Sequence, residues 1–201
     1  MDLTKFRPLA LAAALCSMST FVPAIAAPFD EIETVNAAPL ASFQKVYIAP
    51  VKVELDETNI RRSVSTFRNG RNDRPVSDRD QALKAQDSFE DIAKAFGKSF
   101  EVVEAPGEDV LTVETTITKL VSTRPTLADY RVIPGLSFDS IYAGGGEFSI
   151  RLSEGETVLT EISDNYITNF NDGLPRIAIW QDYDRASKRI ARKLARYVKS
   201  S

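Results

Sequence analysis

The longest β-strand signal in the chain reads Val110-Leu111-Thr112-Val113-Glu114-Thr115-Thr116-Ile117-Thr118-Lys119-Leu120-Val121. From Leu111 to Thr118 the odd-numbered positions carry Leu, Val, Thr and Ile, whereas the even-numbered positions carry Thr and Glu. Because successive side chains of a strand point to opposite faces, one face of this segment is apolar and the other is polar. The pattern predicts a long strand whose apolar face packs against the rest of a domain.

Weaker signals on both sides of this segment predict four more strands and two helices. Pro50 has no amide hydrogen to donate, so it predicts an edge position or a bulge in the first strand. Ser77 fits the N-cap of the first helix, and Gly97 fits its C-terminal stop. The additional strands are expected over 45–53, 100–103, 147–153 and 157–162, and the second helix is expected over 177–199.

The order of these elements is strand, helix, four strands and helix. Consecutive strands with few intervening helices favour antiparallel pairing, and a half-apolar strand needs a cover on one face. The sequence therefore predicts an α+β fold, with a mostly antiparallel sheet of about five strands and two helices packed on one face.

Residues 1–26 have the pattern of a secretory signal peptide. Lys5 and Arg7 make the first residues basic, and an apolar run follows over 9–15. Ala24-Ile25-Ala26 then supplies the small residues that signal peptidase accepts. We predict cleavage between Ala26 and Ala27, export to the periplasm, and no transmembrane helix in the mature form.

An alternative makes Cys16 the acylated first residue of an outer-membrane lipoprotein. Lipoprotein signals place a small residue before this Cys, whereas Leu15 stands there in this chain. After the signal peptide, residues 27–44 contain Pro28 and Pro39 without a clear apolar period, so they are expected to form an extended lead-in. Residues 45–201 are expected to form a single α+β domain.

The composition limits the chemistry that the chain can perform. Its 201 residues include 25 Lys and Arg, 28 Asp and Glu, one Cys and no His, for a formal net charge of −3. Without His there is no Ser-His-Asp triad, Cys-His pair or His-ligated metal site. We predict no catalytic residue, no metal ligand and no cofactor, and the acidic balance of an exported chain argues against nucleic acid as a partner.

The last predicted helix carries a row of basic residues, Arg185, Arg189, Arg192 and Arg196, followed by Lys199. Their spacing of three or four residues places them along one stripe of the helix. Two interpretations remain open. The stripe is either a solvated face with cations near the negative end of the helix dipole, or a docking site for an anionic envelope component.

Two long connections, 54–76 and 122–145, also have two interpretations each. The first contains five Arg residues between Arg61 and Arg74 and is either a solvated loop or a recognition loop. Gly144-Gly145-Gly146 at the end of the second lacks the helix and the Lys-Ser/Thr pair of a phosphate-binding loop, so we predict a flexible lead into the next strand. Residues 170–174 lack the spacing of a calcium loop.

Five separated segments together resemble a known bacterial family. They are Lys45-Val46-Tyr47-Ile48-Ala49-Pro50-Val51, the run from Phe100 to Leu111 leading into Ile117-Thr118, Gly144-Gly145-Gly146, Gly155-Glu156-Thr157-Val158-Leu159, and Trp180 at the start of the last helix. In this order they resemble the bacterial envelope family known as domain of unknown function 3313, whose members are often lipoproteins. The resemblance implies an envelope location, but no established activity, substrate or catalytic residue.

These observations favour a non-enzymatic function for the chain. We predict an exported periplasmic accessory or interaction module that binds another envelope protein or an anionic envelope component. The contact surface is expected on the outer sheet face, on the two long connections or on the basic helix. The alternative is a cell-envelope hydrolase with carboxylate or Ser–Lys chemistry, in a cleft covered by residues 122–145.

Overall fold

The structure of the chain is a computed structural model that describes residues 29–55, 76–132, 135–137, 139–169, 171 and 173–201, without the side chain of Val132. The predicted signal peptide, its cleavage site between Ala26 and Ala27, and Cys16 lie outside these residues. So do the Arg residues between 61 and 74 and two positions of the weak calcium-like motif.

Seven strands of the described residues form one sheet, and three α-helices accompany it. The strands are β1 (Glu31–Thr34), β2 (Lys45–Ile48), β3 (Lys52–Val53), β4 (Glu101–Val103), β5 (Val110–Val121), β6 (Gly145–Glu154) and β7 (Thr157–Ile167). The helices are α1 (Asp78–Phe96), α2 (Leu127–Val132) and α3 (Gln181–Ser200), with a short 3₁₀ turn at Leu40–Ser42. The spatial order is β1-β7-β6-β5-β2-β4, with β3 also beside β5.

The α+β fold is confirmed, but the prediction of a mostly antiparallel sheet is wrong. Strand β2 pairs in parallel with both β4 and β5, and β3 also pairs in parallel with β5. The pairs β5–β6, β6–β7 and β1–β7 are antiparallel. The sheet is therefore mixed, because the connection through α1 returns the chain to the end of the sheet from which β2 began. The described residues also hold three helices rather than the two predicted.

Residues 29–44, expected as an extended lead-in, contribute to both the sheet and the core. Strand β1 forms one edge of the sheet, next to β7, with Glu31 opposite Ser163. Phe29, Leu40 and Phe43 are buried against the rest of the core. The sequence missed β1 because it has only four residues, two of them exposed glutamates.

Pro50 lies at a bulge, which was one of the two predicted positions. Ile48 pairs with Val113 and Lys52 pairs with Thr116, so four steps on one strand match three on the other. The amide of Ala49 still donates to the carbonyl oxygen of Val113 at 3.0 Å. The extra residue of a bulge is not required to donate a hydrogen bond to the sheet. A proline, which lacks a backbone donor, therefore fits at this place.

The predicted ends of α1 are confirmed. The Ser77 hydroxyl accepts a hydrogen bond from the amide of Asp80 at 3.2 Å, as an N-cap does. At the other end the amide of Gly97 donates to the carbonyl of Ala93 at 2.9 Å. Helix α3 starts at Gln181, later than predicted, because the Gln181 side chain accepts from the amide of Ile177 at 2.6 Å and holds the preceding residues outside the helix.

Helices α1 and α3 pack side by side on one face of the sheet, as predicted for the two long helices. The core between the layers includes the fully buried Val46, Leu111, Ile117, Ile150 and Leu194. The buried ring of Tyr183 stacks on Phe148 with the ring centroids 5.8 Å apart. The alternation along β5 is thereby confirmed, since the odd-numbered positions from Leu111 to Ile117 face this core.

Polar contacts fix the two long helices in parallel. The Lys84 ammonium lies 2.8 Å from the Asp184 carboxylate, and the Ser187 hydroxyl donates to Asp91 at 2.8 Å. Burial alone would lower the pKa of Lys84, but hydrogen bonds and ion pairs with Asp184 and Asp87 raise the pKa above its usual 10.5. Since contact positions rise together along both helices, their C-terminal ends lie at the same end of the domain.

We expect Asp91→Asn to increase the stability of the protein at neutral pH. Burial is the main cause that raises the pKa of Asp91 above its usual 3.8. The hydrogen bond from Ser187 and the charge of Lys188 act in the opposite direction, whereas the charges of Asp184 and Asp87 raise the pKa further. Because the folded state binds this proton more tightly than the unfolded chain does, the stability linked to the group falls as pH rises above 3.8.

An asparagine at position 91 cannot ionise, and its amide oxygen can still accept from the Ser187 hydroxyl. Urea unfolding of both proteins from pH 4 to pH 7 is the measurement. The gain of the variant should grow with pH, whereas a variant that is less stable at every pH would contradict the expectation.

Candidate functional site

A groove lies between the C-terminal halves of α1 and α3, with a volume of about 480 Å³. Five of its eight lining residues are cationic and none is acidic. We call it the basic groove; its lining residues are Ala95, Lys98, Ser99, Arg189, Arg192, Ala195, Arg196 and Lys199. Its buried lining consists of small residues, Ala95 from α1 and Ala195 from α3, which leave a channel between longer side chains.

Three of the four Arg residues predicted from the helical spacing lie in the basic groove, namely Arg189, Arg192 and Arg196. Arg185 does not line it. Its guanidinium donates to the Asp182 carboxylate at 2.8 Å and to the carbonyl of Pro175 at 2.8 Å, near the start of α3. The stripe on the helix is therefore divided, with Arg185 engaged inside the protein and the other three on the groove.

The cations of the basic groove have no carboxylate partner in the described part of the chain. The side chains of Arg192 and Arg196 donate through Nε only to carbonyls of their own helix, those of Lys188 at 2.9 Å and Arg192 at 3.3 Å. Arg189 lies over the ring of Tyr166, 4.8 Å from its centroid. The carbonyl ends of both helices offset part of this positive charge, but the outward sides of the guanidinium groups remain open to solvent.

Several cations outside the basic groove, in contrast, do have a carboxylate partner. Lys84, Lys119, Arg151, Arg176 and Lys193 each lie within salt-bridge distance of a carboxylate. Among the residues that the structure describes, five exposed cations that lack such a partner line the basic groove, whereas others, such as Lys52, Arg79 and Arg131, are distributed elsewhere on the surface. Charge of one sign in a concave surface strengthens the local potential.

Lys98 and Ser99 were missed as groove residues by sequence reasoning. Both follow α1 and precede Gln181, the first residue of the helix that carries the Arg stripe, by more than eighty positions. The Lys199 ammonium lies 3.5 Å from the Ser99 hydroxyl across the groove. A basic residue just after the end of α1 was the available signal, but only the parallel packing of the helices connects it to α3.

The opposite end of the domain contains a buried ionic cluster around Asp182, whose side chain has no exposed surface. The carboxylate accepts from Arg176 Nε at 2.9 Å and from the Thr168 hydroxyl at 2.8 Å, in addition to Arg185. The amide of Gly144 lies 3.4 Å from the same carboxylate. These contacts join the connection before β6 and the connection between β7 and α3 to the first turn of α3.

This cluster lies where the hydrolase alternative would need reactive carboxylates. Asp182 is enclosed by two guanidinium groups, and Asp129 accepts from the amide and hydroxyl of Thr126 at 2.6 and 2.8 Å. Across the described segments, no group of three or more acidic or thiol side chains is close enough to hold a metal ion. Both named carboxylates thus serve as hydrogen-bond acceptors that hold loops in place.

The glycines at 144–146 are not a flexible lead into β6, which corrects the prediction made for them. All three are buried, and β6 already begins at Gly145. Gly145 has φ +150°, and a Cβ there would lie 1.9 Å from the carbonyl oxygen of Tyr166. A Cβ at Gly146 would lie 2.9 Å from the ring of Tyr183. The run is glycine because neighbouring groups leave no room for side chains.

The outer sheet face, one of the predicted contact surfaces, is polar and internally balanced in its centre. There Arg151 lies 3.0 Å from Glu161 and 4.0 Å from Glu114.

In the parts of the chain that the structure describes, no helix has the length and apolar character needed to cross a membrane.

The fold and the groove define a two-layer α+β domain with a groove lined by five cationic residues at one end. A family model described as Protein of unknown function (DUF3313) matches residues 35–152. The match spans more than half of the chain, so the protein belongs to this family, and the resemblance drawn from its separated segments is confirmed. No curated protein matches the chain.

Several solved structures are similar in fold at low sequence identity. A PelC dodecamer from Paraburkholderia phytofirmans shares 6% identity at a TM-score of 0.42, over 81% of this chain and 97% of that one. A DUF330 protein from Xanthomonas campestris shares 12% identity at a TM-score of 0.42, over 85% and 92% of the two chains. A DUF4136 family protein from Bacteroides thetaiotaomicron shares 16% identity at a TM-score of 0.32, over 85% and 90%.

Proposed function

We propose that the protein is an exported accessory module of the bacterial envelope that binds an anionic envelope component in the basic groove. One observation carries the proposal: five cationic side chains from two helix ends converge on one groove whose lining contains no carboxylate. Arg192 and Arg196 are the central members, because their guanidinium groups are exposed and meet only carbonyls of their own helix.

The strength expected of such a site follows from the exposure of its cations. A single exposed ion pair contributes only about 0–1 kcal/mol, so useful affinity requires several pairs formed at once. The basic groove offers five cations to one partner and so meets this condition. Since exposed charges are screened by salt over about 8–10 Å, binding should weaken as ionic strength rises.

Export is supported by the sequence of residues 1–26. The basic start, the apolar run and Ala24-Ile25-Ala26 fit a cleaved secretory signal, so we propose a periplasmic mature chain that begins at Ala27. Membership of the family is consistent with an envelope location. Lipid attachment through Cys16 is the less favoured form of the same export, because Leu15 does not suit a lipoprotein signal.

We expect a photo-crosslinking residue placed at Ser99 to capture a partner in living cells that express the chain from residue 1. Ser99 lines the basic groove and is exposed. Adducts formed there should disappear in the Arg192→Glu/Arg196→Glu variant, since two attractive charges become repulsive ones. Adducts are detected by gel shift and identified by mass spectrometry, with the crosslinker at Ser149 on the outer sheet face for comparison.

The matched control is Lys52→Glu/Arg131→Glu, which changes the net charge equally at two exposed positions away from the groove. Its Ser99 adducts should equal those of the wild-type chain. The proposal is contradicted if Ser99 yields no adduct, or if the adducts persist when Arg192 and Arg196 are both reversed.

A further inference from the structure

We infer that the occupant of the basic groove is an acidic, partly apolar peptide segment of a partner protein; this inference rests on the proposed function. The membrane surface is the other class of anionic partner that cations of this kind suit. The shape, the lining and the type of cation each favour the peptide.

The concave shape of the basic groove suits a peptide better than a membrane surface. Ala95 and Ala195, each 8% exposed, form the floor between two helices, and the cations project along the sides. A flat bilayer would touch the rims of such a channel and leave its floor empty. A single polypeptide chain, in contrast, can enter it and bring side chains to both the floor and the rims.

The dimensions of the site agree with a short segment. Arg189 and Lys199 are ten positions apart on one helix, which corresponds to about 15 Å along its axis. An extended peptide rises about 3.3 Å per residue, so four or five of its residues span this row. Lys98 supplies a cation from the facing side of the groove.

The lining gives the chemistry of the occupant. The surface of the groove is more apolar than polar, because its floor is alanine and its walls are the aliphatic stems of long cations. The three Arg residues present planar groups that bind a carboxylate through two parallel hydrogen bonds. An occupant with carboxylates at the rims and an apolar side chain on the floor satisfies both features.

Fluorescence anisotropy of the purified full chain tests this inference. The probe is a labelled peptide of four Glu-Glu-Leu repeats, and a peptide of four Gln-Gln-Leu repeats is the neutral control. At low salt the acidic peptide should bind and the neutral one should not. Arg192→Glu/Arg196→Glu should weaken binding about tenfold or more, whereas Lys52→Glu/Arg131→Glu should leave the affinity unchanged.

A charge-conserving variant tests whether the planar guanidinium groups, and not only their positive charge, contribute to peptide binding. Arg192→Lys/Arg196→Lys keeps both positive charges but loses the bidentate groups, so we expect peptide affinity to fall about threefold. Circular dichroism melting of each variant shows that the fold is retained. Equal affinity of the Lys variant and the wild-type chain would contradict carboxylate recognition by the guanidinium groups.

The remaining outcomes identify other occupants. Phosphatidylglycerol vesicles that bind through Arg192 and Arg196, without peptide binding, would overturn the peptide inference and leave the proposed function intact. Self-association at low salt that the same double variant abolishes would assign the groove to a second copy, and it would also overturn the inference. Failure of peptide, vesicles and Ser99 crosslinking together would overturn both proposals.

Discussion

Replacing Asp182 with alanine is expected to lower the free energy of unfolding by about 3–5 kcal/mol. The Asp182 side chain is fully buried and that of Arg176 is only 6% exposed, with 2.9 Å between carboxylate and guanidinium. Removing one member of a buried ion pair leaves the desolvated charge of the other without compensation. The Thr168 hydroxyl and Arg185 lose the same acceptor, so the loops at this end lose their common anchor.

The matched control for this prediction is Asp184→Ala, two positions further along the same helix. Asp184 is 38% exposed, and its partner Lys84 retains a second carboxylate, that of Asp87, at 2.6 Å. We expect this variant to lose only about 1 kcal/mol. Urea unfolding followed by circular dichroism measures both; equal losses in the two variants would show that the Asp182 cluster has no special structural importance.

Gly145→Ala is the second variant with a large expected effect, a loss of about 3 kcal/mol or more in the free energy of unfolding. The new Cβ would lie 1.9 Å from the carbonyl oxygen of Tyr166, far inside contact distance, and that oxygen belongs to the backbone of the paired strand. No side-chain rotation relieves such a clash. The φ of +150° adds strain, because side chains of L-amino acids disfavour this region.

Gly107→Ala provides the control for the glycine effect. A Cβ at this position would meet the Cγ2 atom of Val110 at 3.7 Å, which is an ordinary contact. We expect its stability to stay within about 0.5 kcal/mol of the wild-type value. If thermal melting showed that Gly145→Ala is equally well tolerated, the close approach of β6 and β7 at this point would be wrong.

The elements that the sequence predicted well are those whose signals are local. The long β-strand signal over Val110–Val121 matched the bounds of β5, and the cap at Ser77 placed the start of α1. The pairing of β2 with β4 and β5 could not be predicted, because parallel partners are joined through a helix and leave no mark in either strand. The glycines at 144–146 were misread, since only the folded neighbours, such as Tyr166, reveal the lack of space.

About half of the residues that line the basic groove could be predicted from the sequence. Helical spacing grouped Arg189, Arg192 and Arg196, because residues three or four apart share a helix face. The same spacing included Arg185, whose acceptor Asp182 is buried only in the assembled fold. Lys98 joins the site because α1 and α3 run in the same direction, and that arrangement depends on long-range contacts rather than on local pattern.

The position of β1 at the edge of the sheet has a consequence for solubility. Without it, residues 160–163 of the eleven-residue strand β7 would expose unpaired backbone groups to any extended chain nearby, and such edges template aggregation. The exposed glutamates Glu31 and Glu33 make the outermost strand a poor template in its turn. The pairing of β1 with β7 depends on contacts such as the hydrogen bond from the amide of Asp30 to Asp164, which are 134 positions apart. In an incompletely folded chain that lacks these contacts, the edge of β7 is therefore uncovered.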